Sequence, residues 1–175
     1  MAKAQPYQVL GVLPDGIELR HYPAHTLISV DVTADFESAG NVAFGPLIRY
    51  ISGANAGGSS MAMTSPVVQV PHQDSHTVSF VLPEGTDAAT APLPMDGRVN
   101  VREVAPREVA ALRFSGSWKK SRAEGKAEVL RQALAERGIA TSGGVFYGRF
   151  DPPSTPGFLR HNEVLVELLP SSAPA

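Results

Sequence analysis

Ile17-Glu-Leu-Arg-His-Tyr-Pro-Ala-His-Thr-Leu-Ile-Ser-Val-Asp-Val32 lies over Val99-Asn-Val-Arg-Glu-Val-Ala-Pro-Arg-Glu-Val-Ala-Ala-Leu-Arg-Phe114 at a constant offset of 82 residues. Leu19 falls on Val101, Arg20 on Arg102 and Leu27 on Val109; further on, Leu47 and Ile48 fall on Val129 and Leu130. Self-similarity at a fixed period decides the architecture before any local signal does. Two copies are too few for a solenoid, so the expectation is two half-repeats, about 17–82 and 99–169, packed around a pseudo-twofold axis. Ligand sites favour such interfaces.

Within each copy the periodicity is legible. Ile17–Tyr22 alternates, with Ile17, Leu19 and His21 on one face and Glu18, Arg20 and Tyr22 on the other. Pro14-Asp-Gly16 reads as a turn in which Gly16 supplies a positive φ. Pro23 breaks the strand and Thr26–Thr33, rich in β-branched residues, resumes it. Asp35–Ile51 carries Phe36, Ala39, Ala43, Leu47 and Ile51 at helical spacing, and Gly45-Pro46 predicts a kink or restart inside it. Gly53–Ser60 is a loop, Pro66–Val70 and Thr77–Leu82 are strands, and Pro83–Gly97 joins the halves. The second copy repeats the order. Val99–Val104 and Glu108–Phe114 are strands, followed by a helix over Trp118–Arg137 with Ala123, Ala127, Leu130 and Leu134 as its apolar stripe. Ser121-x-x-Glu124 predicts a capping box and Gly138 a left-handed cap. Strands over Val145–Phe150 and Glu163–Leu168 close the copy. The expected fold is α+β, a mainly antiparallel sheet with two helices on one face.

Composition narrows the function. The chain has 175 residues, no cysteine and a net charge of −2 with both signs scattered. The length suits one domain over residues 1–170, with Ser171–Ala175 as a disordered tail. Without cysteine there is no disulfide, thiolate metal site, covalent haem linkage or cysteine nucleophile. Binding to nucleic acid needs a concentrated basic surface, so none is expected. No segment approaches the ~20 apolar residues of a membrane span. No signal-peptide core precedes Val9, and the expected compartment is the cytoplasm.

Catalytic signatures are weak. Gly53-Ala-Asn-Ala-Gly-Gly-Ser-Ser60 lacks the lysine of a phosphate loop, and no Gly-x-Ser-x-Gly elbow occurs. Glu18, Glu103 and Glu163 sit on separate strands and suit solvated faces or bridges to Arg20 and Arg102 better than an acid–base pair. His21/His25 and His72/His76 have i, i+4 spacing but lie off the helices, where a strand would part them by ~13 Å. A two-histidine metal site is therefore not expected, whereas a single axial haem ligand remains open. The mixed charges of the second helix, from Lys119 to Arg137, read as a solvated face. Met61-x-Met63 reads as gap-filling core.

Several ordered motifs carry a resemblance. They are Glu18-Leu-Arg-His-Tyr22, Leu47-Ile-Arg-Tyr-Ile-Ser-Gly-Ala-Asn55 and Met61-Ala-Met-Thr-Ser-Pro-Val67, then Tyr147-Gly-Arg-Phe-Asp-Pro-Pro153 and Arg160-His-Asn-Glu-Val164. Together they resemble the SOUL/haem-binding protein family, in a bacterial member, from about Tyr7 to Leu169. The resemblance implies a distorted β-barrel with two helices and like halves. It implies reversible, non-covalent binding of haem or another tetrapyrrole, with no enzymatic activity and no protein partner specified. The cleft it implies lies beside the first helix, at Val42, Gly45, Ile48 and Arg49. Val42 and Gly45 stand where a relative has longer side chains, a basic residue and a methionine, while Arg49 keeps a basic group for a propionate. His21 matches a position proposed as axial iron ligand in some members; its counterpart in the second copy is Glu103. The alternative reading is a small-molecule effector-binding or interaction module that takes no porphyrin, since bacterial effector-binding domains share the fold.

Overall fold

The computed structural model describes residues 3–152 and 154–170. The expected disordered tail lies outside them, as does Pro153 of the fourth motif. In chain order the elements are β1 (Lys3–Ala4), β2 (Gln8–Val12), β3 (Glu18–Tyr22), β4 (His25–Val32), α1 (Ala39–Ile51), β5 (Thr64–Pro71) and β6 (His76–Val81). There follow β7 (Asn100–Val104), β8 (Arg107–Phe114), α2 (Lys120–Glu136), β9 (Thr141–Arg149) and β10 (Asn162–Leu168).

All ten strands form one sheet in the order β2-β3-β8-β10-β9-β5-β6-β4-β7, with β1 pairing β5 in parallel. Every other pairing is antiparallel. The path ends at β2 and β7, so the sheet is not closed into the barrel that the resemblance implied. Apart from β1 and β2, the order has a definite logic. Exchanging β3, β4, β5 and β6 for β7, β8, β9 and β10 returns the same order read backwards. Leu19 pairs with Ala110 and Val101 pairs with Ile28, the same contact with the copies exchanged. β3 and β7 thus each pair with a strand from the other half of the chain, and β5 and β9 meet at the centre.

Each helix covers its own strands. The buried face of α1 (Ala39, Ala43, Leu47, Tyr50 and Ile51) packs on Ile28, Val30 and Val32 of β4 and on Val78 and Phe80 of β6. Ala123, Ala127, Leu130 and Leu134 of α2 pack on Ala110, Leu112 and Phe114 of β8 and on Val164 and Val166 of β10. These stripes correct the alignment of the helices. Val129, set opposite Leu47 by the constant offset, is 43% exposed. Ala39 and Ala43 match Ala123 and Ala127, and Tyr50 matches Leu134, so the copies need a gap of two residues before the helices.

Three helix expectations also change. α1 begins at Ala39, not Asp35. Asp35 takes the Ser38 N–H at 2.9 Å and the Ser38 hydroxyl at 2.5 Å, which forms a turn and frees Phe36 to enter the core. Of the kink or restart expected at Gly45-Pro46, the restart does not occur: helix α1 runs through unbroken, although Pro46 offers no N–H to the Val42 carbonyl. The Ser121 capping box does not form. The first N–H of α2, on Lys120, donates instead to Glu37 Oε2 at 2.7 Å, a cap supplied by the first copy. At its other end, Ile139 N–H donates to the Leu134 carbonyl and Gly138 N–H to the Ala135 carbonyl, with Gly138 at φ +68°. This is the Schellman pattern, which the glycine signalled.

Candidate functional site

The first helix presents Val42, Gly45 and Arg49 at i, i+3 and i+7, one outer face. Val42 is 54% exposed, Arg49 is exposed and Gly45 half-buried. Ile48 turns inward and packs against the α1 core. The cleft beside this face is open and about 280 Å³, with Pro46, Arg49, Tyr50 and Ala54 on one side and Pro94, Met95, Asp96 and Val99 on the other. Tyr50 fixes the far wall, since its hydroxyl donates to the Pro92 carbonyl at 2.6 Å. Asn55 ties down the end of the helix, donating to the carbonyls of Tyr50 (2.7 Å) and Ser59 (2.8 Å).

Electrostatics leave Arg49 available. Asp96 is its acidic neighbour, but the Arg98 guanidinium holds Asp96 at 2.8 Å. The Arg98 side-chain and backbone hydrogen bonds, with a smaller contribution from Arg49, bring the Asp96 carboxyl down to about 2. A Cβ built on Gly45 would come within 3.2 Å of the Arg49 guanidinium, which supplies its three nearest side-chain contacts. Arg49 therefore folds back over the glycine, and the missing side chain is what gives it room.

His21 lies elsewhere. It shares a β3 face with Ile17 and Leu19, which pack into the α2 core, and it pairs across the sheet with Gln8 and Glu108. Its ring is half-buried and does not line the α1 cleft. His72 and His76 flank the β5–β6 turn instead of sharing a strand; His72 meets Thr77 Oγ1 at 2.7 Å, and His76 meets Gln69 at 3.3 Å. No group of three or more metal-ligating side chains occurs among the described residues.

Two features go beyond the sequence reading, which offers bridges from Glu18 and Glu163 to Arg20 but not their burial. One is a buried ion pair on the sheet face away from α2. Arg20 donates to Glu163 through two nitrogens at 2.7 and 2.8 Å, to Glu18 at 2.8 Å and to the Tyr22 hydroxyl at 2.9 Å, and it sits 4.1 Å above the Tyr7 ring. His161 adds a 2.8 Å contact to Glu163. The alternation placed Arg20 and Tyr22 together correctly, but nothing local said that their face is also buried. The other is a larger cleft against α2, about 620 Å³, whose parts come from four separate segments. No single motif announces it.

Residues 2–167 match the family model described as SOUL heme-binding protein. No curated protein is significantly similar in sequence. The C-terminal domain of EcmrR shares the fold at 11% identity and TM-score 0.66, covering 93% of this chain and 98% of that one. A chain of EcmrR in its DNA complex gives 13% and 0.64, with 93% of this chain and 57% of that chain covered. A protein from Listeria innocua described as a hydrolase gives 12% and 0.58, over 87% and 91%. These identities show likeness of fold alone. The family match spans nearly the whole sequence, and with it the motifs, the two helices and the antiparallel sheet fall into place: the chain belongs to the SOUL heme-binding protein family.

Proposed function

We propose that the protein binds haem or a related tetrapyrrole non-covalently beside α1 and serves as a cytoplasmic carrier or buffer, without catalysis. The family supports the ligand class. The observation that carries the location is Arg49, a basic group at the edge of an apolar cleft whose acidic neighbour is already engaged by Arg98. A tetrapyrrole is a broad apolar disc with carboxylates on one edge. Pro46, Met95, Val99 and the exposed Val42 meet the disc, and Arg49 meets a propionate. The cleft is slightly smaller than the ~300–1,000 Å³ of sites that enclose a small ligand. The porphyrin would therefore be held along one edge and released readily, which suits a carrier. No helix among the described residues is long and apolar enough to cross a membrane.

His21 is the iron ligand that the resemblance offers. Its place on the α2 side of the sheet favours porphyrin held at α1 by apolar contact and Arg49, and the spectrum of His21→Ala tests ligation. The sheet order that survives exchange of the copies supports two duplicated halves about a pseudo-twofold axis at the β5–β9 seam.

The test is a haemin titration followed by absorbance. A saturable Soret change at micromolar protein is expected, weakened about tenfold in Arg49→Ala by loss of one charge-assisted pair. No saturable change would overturn the reading. The second reading, an effector-binding module that takes no porphyrin, is favoured by the fold shared with the EcmrR C-terminal domain. A thermal-shift screen separates the two, since stabilisation by tetrapyrroles supports the first, and stabilisation by other small molecules with none by tetrapyrroles supports the second.

A further inference from the structure

The cleft against α2 belongs to neither the α1 site nor the core. Its volume, about 620 Å³, lies in the middle of the range for small-molecule sites. Phe36, Val145 and Tyr147 form its floor, one side of α2 forms one wall, and the β5–β6 turn forms the other.

Tyr147 is the telling residue. Only 3% of it is exposed, and its hydroxyl makes no hydrogen bond among the described residues. The ring is held edge-on by Phe36 at 5.3 Å and by Trp118 at 6.1 Å, so the phenol is rigidly aimed. Burial, then the charge of Glu124, raises its pKa, while Arg131 opposes them. Glu124 and Arg131 of α2 line the same cleft as Tyr147. The side chain is buried, but the hydroxyl lies at the surface of a cleft that a ligand can enter.

The charges of the cleft select the ligand. Arg131 is paired with Glu128 at 2.9 Å. Asp35, Asp74 and Glu124 remain, against Lys120. His76 adds no positive charge at neutral pH, because burial, His72 and Lys120 all lower its pKa, with Asp35 and Glu37 acting the other way. The balance is acidic, opposite to the basic edge at Arg49.

We propose that this cleft is a second ligand site that takes an organic cation with a ring system: the rings lie over Phe36 and Tyr147, the Tyr147 hydroxyl accepts from the ligand's N–H, and Glu124 pairs its charge. The site does not depend on the tetrapyrrole reading, and an anionic porphyrin is disfavoured in it.

The test uses the full chain and three probes with one ring system at pH 7.5: 9-aminoacridine as cation, acridine as neutral analogue and acridine-9-carboxylate as anion. Calorimetric titration should give saturable binding of 9-aminoacridine, about tenfold weaker binding of acridine and none of the carboxylate. Glu124→Gln, an exposed change that leaves the core alone, should weaken the cation about tenfold, and Tyr147→Phe about threefold. Arg49→Ala should leave it unchanged. Absence of saturation with 9-aminoacridine, equal affinity for all three probes, or indifference to both Glu124→Gln and Tyr147→Phe would overturn the proposal. Loss of cation binding in Arg49→Ala would place the cation in the α1 cleft and overturn it too. The haemin titration is scored separately, so either site can fail alone.

Discussion

Arg20 and Glu163 sit on β3 and β10, two strands apart, and each satisfies the other's charge out of water. Burial alone would push the Glu163 carboxyl up. The Arg20 hydrogen bond, then the His161 hydrogen bond and the charges of both, win and hold it below its ordinary 4.5. Removing one partner strands the other, which typically costs about 3–5 kcal/mol. Arg20→Ala should lose that much in urea unfolding at pH 7; a loss below ~1 kcal/mol would mean that water reaches the pair. The sign with pH follows from the depressed carboxyl. Its stabilisation is complete above the unfolded value and fades as pH falls through the lower folded one. The gap in urea midpoint between wild type and Glu163→Gln should therefore be widest at neutral pH and narrow on acidification below 4.5. The pair was only half legible. Alternation placed Arg20 and Tyr22 on one face, but a strand reports which residues share a face, not what covers it. Tyr22, Val109, Ala111 and Leu165 share this one, and the Tyr7 ring lies over the Arg20 guanidinium.

At the scale of elements the helices were readable because their stripes are long and regular. Leu47 and Leu130 are both fully buried, one in each helix. Truncating either to alanine should cost about 2–5 kcal/mol; a loss below 1 kcal/mol at both would contradict the packing. The ends of the helices were less readable, and for definite reasons. Gly138 was found from sequence because a left-handed cap needs only its own residue and close neighbours. The cap of α2 was not, because Glu37 reaches it from 83 residues away. Glu37→Ala should destabilise α2 by about 0.5–2 kcal/mol, read by thermal unfolding, whereas Ser121→Ala should change little. If Ser121→Ala proves the costlier, the local box is the true cap. The α1 site was legible as a helix face and not as a cleft, since its opposite wall, Pro94–Asp96, comes from the irregular join between the copies.

At the scale of the whole molecule the two halves of the chain are not separable bodies. β3 pairs with β8 and β7 with β4, so each half of the chain is finished by a strand of the other, and β5 with β9 makes the sheet continuous. Such pairing could not be read from the repeat, because registry between distant strands leaves no local trace. The segment between β4 and α1 binds the copies further. The Phe36 ring stacks on Trp118 at 4.7 Å, and its carbonyl accepts from Gln69 at 3.0 Å and from the Trp118 indole at 3.4 Å. Trp118 is the sole tryptophan of the chain, so its fluorescence reports on this junction, while far-UV circular dichroism reports on the sheet as a whole. If strand exchange makes the halves interdependent, the two signals must be lost together on heating, as in a two-state transition. Phe36→Ala should lower that shared midpoint, at a cost of about 3–5 kcal/mol, without splitting it. An early loss of the Trp118 signal with the sheet intact would show instead that the halves come apart before they unfold, and that the exchanged strands hold them only loosely.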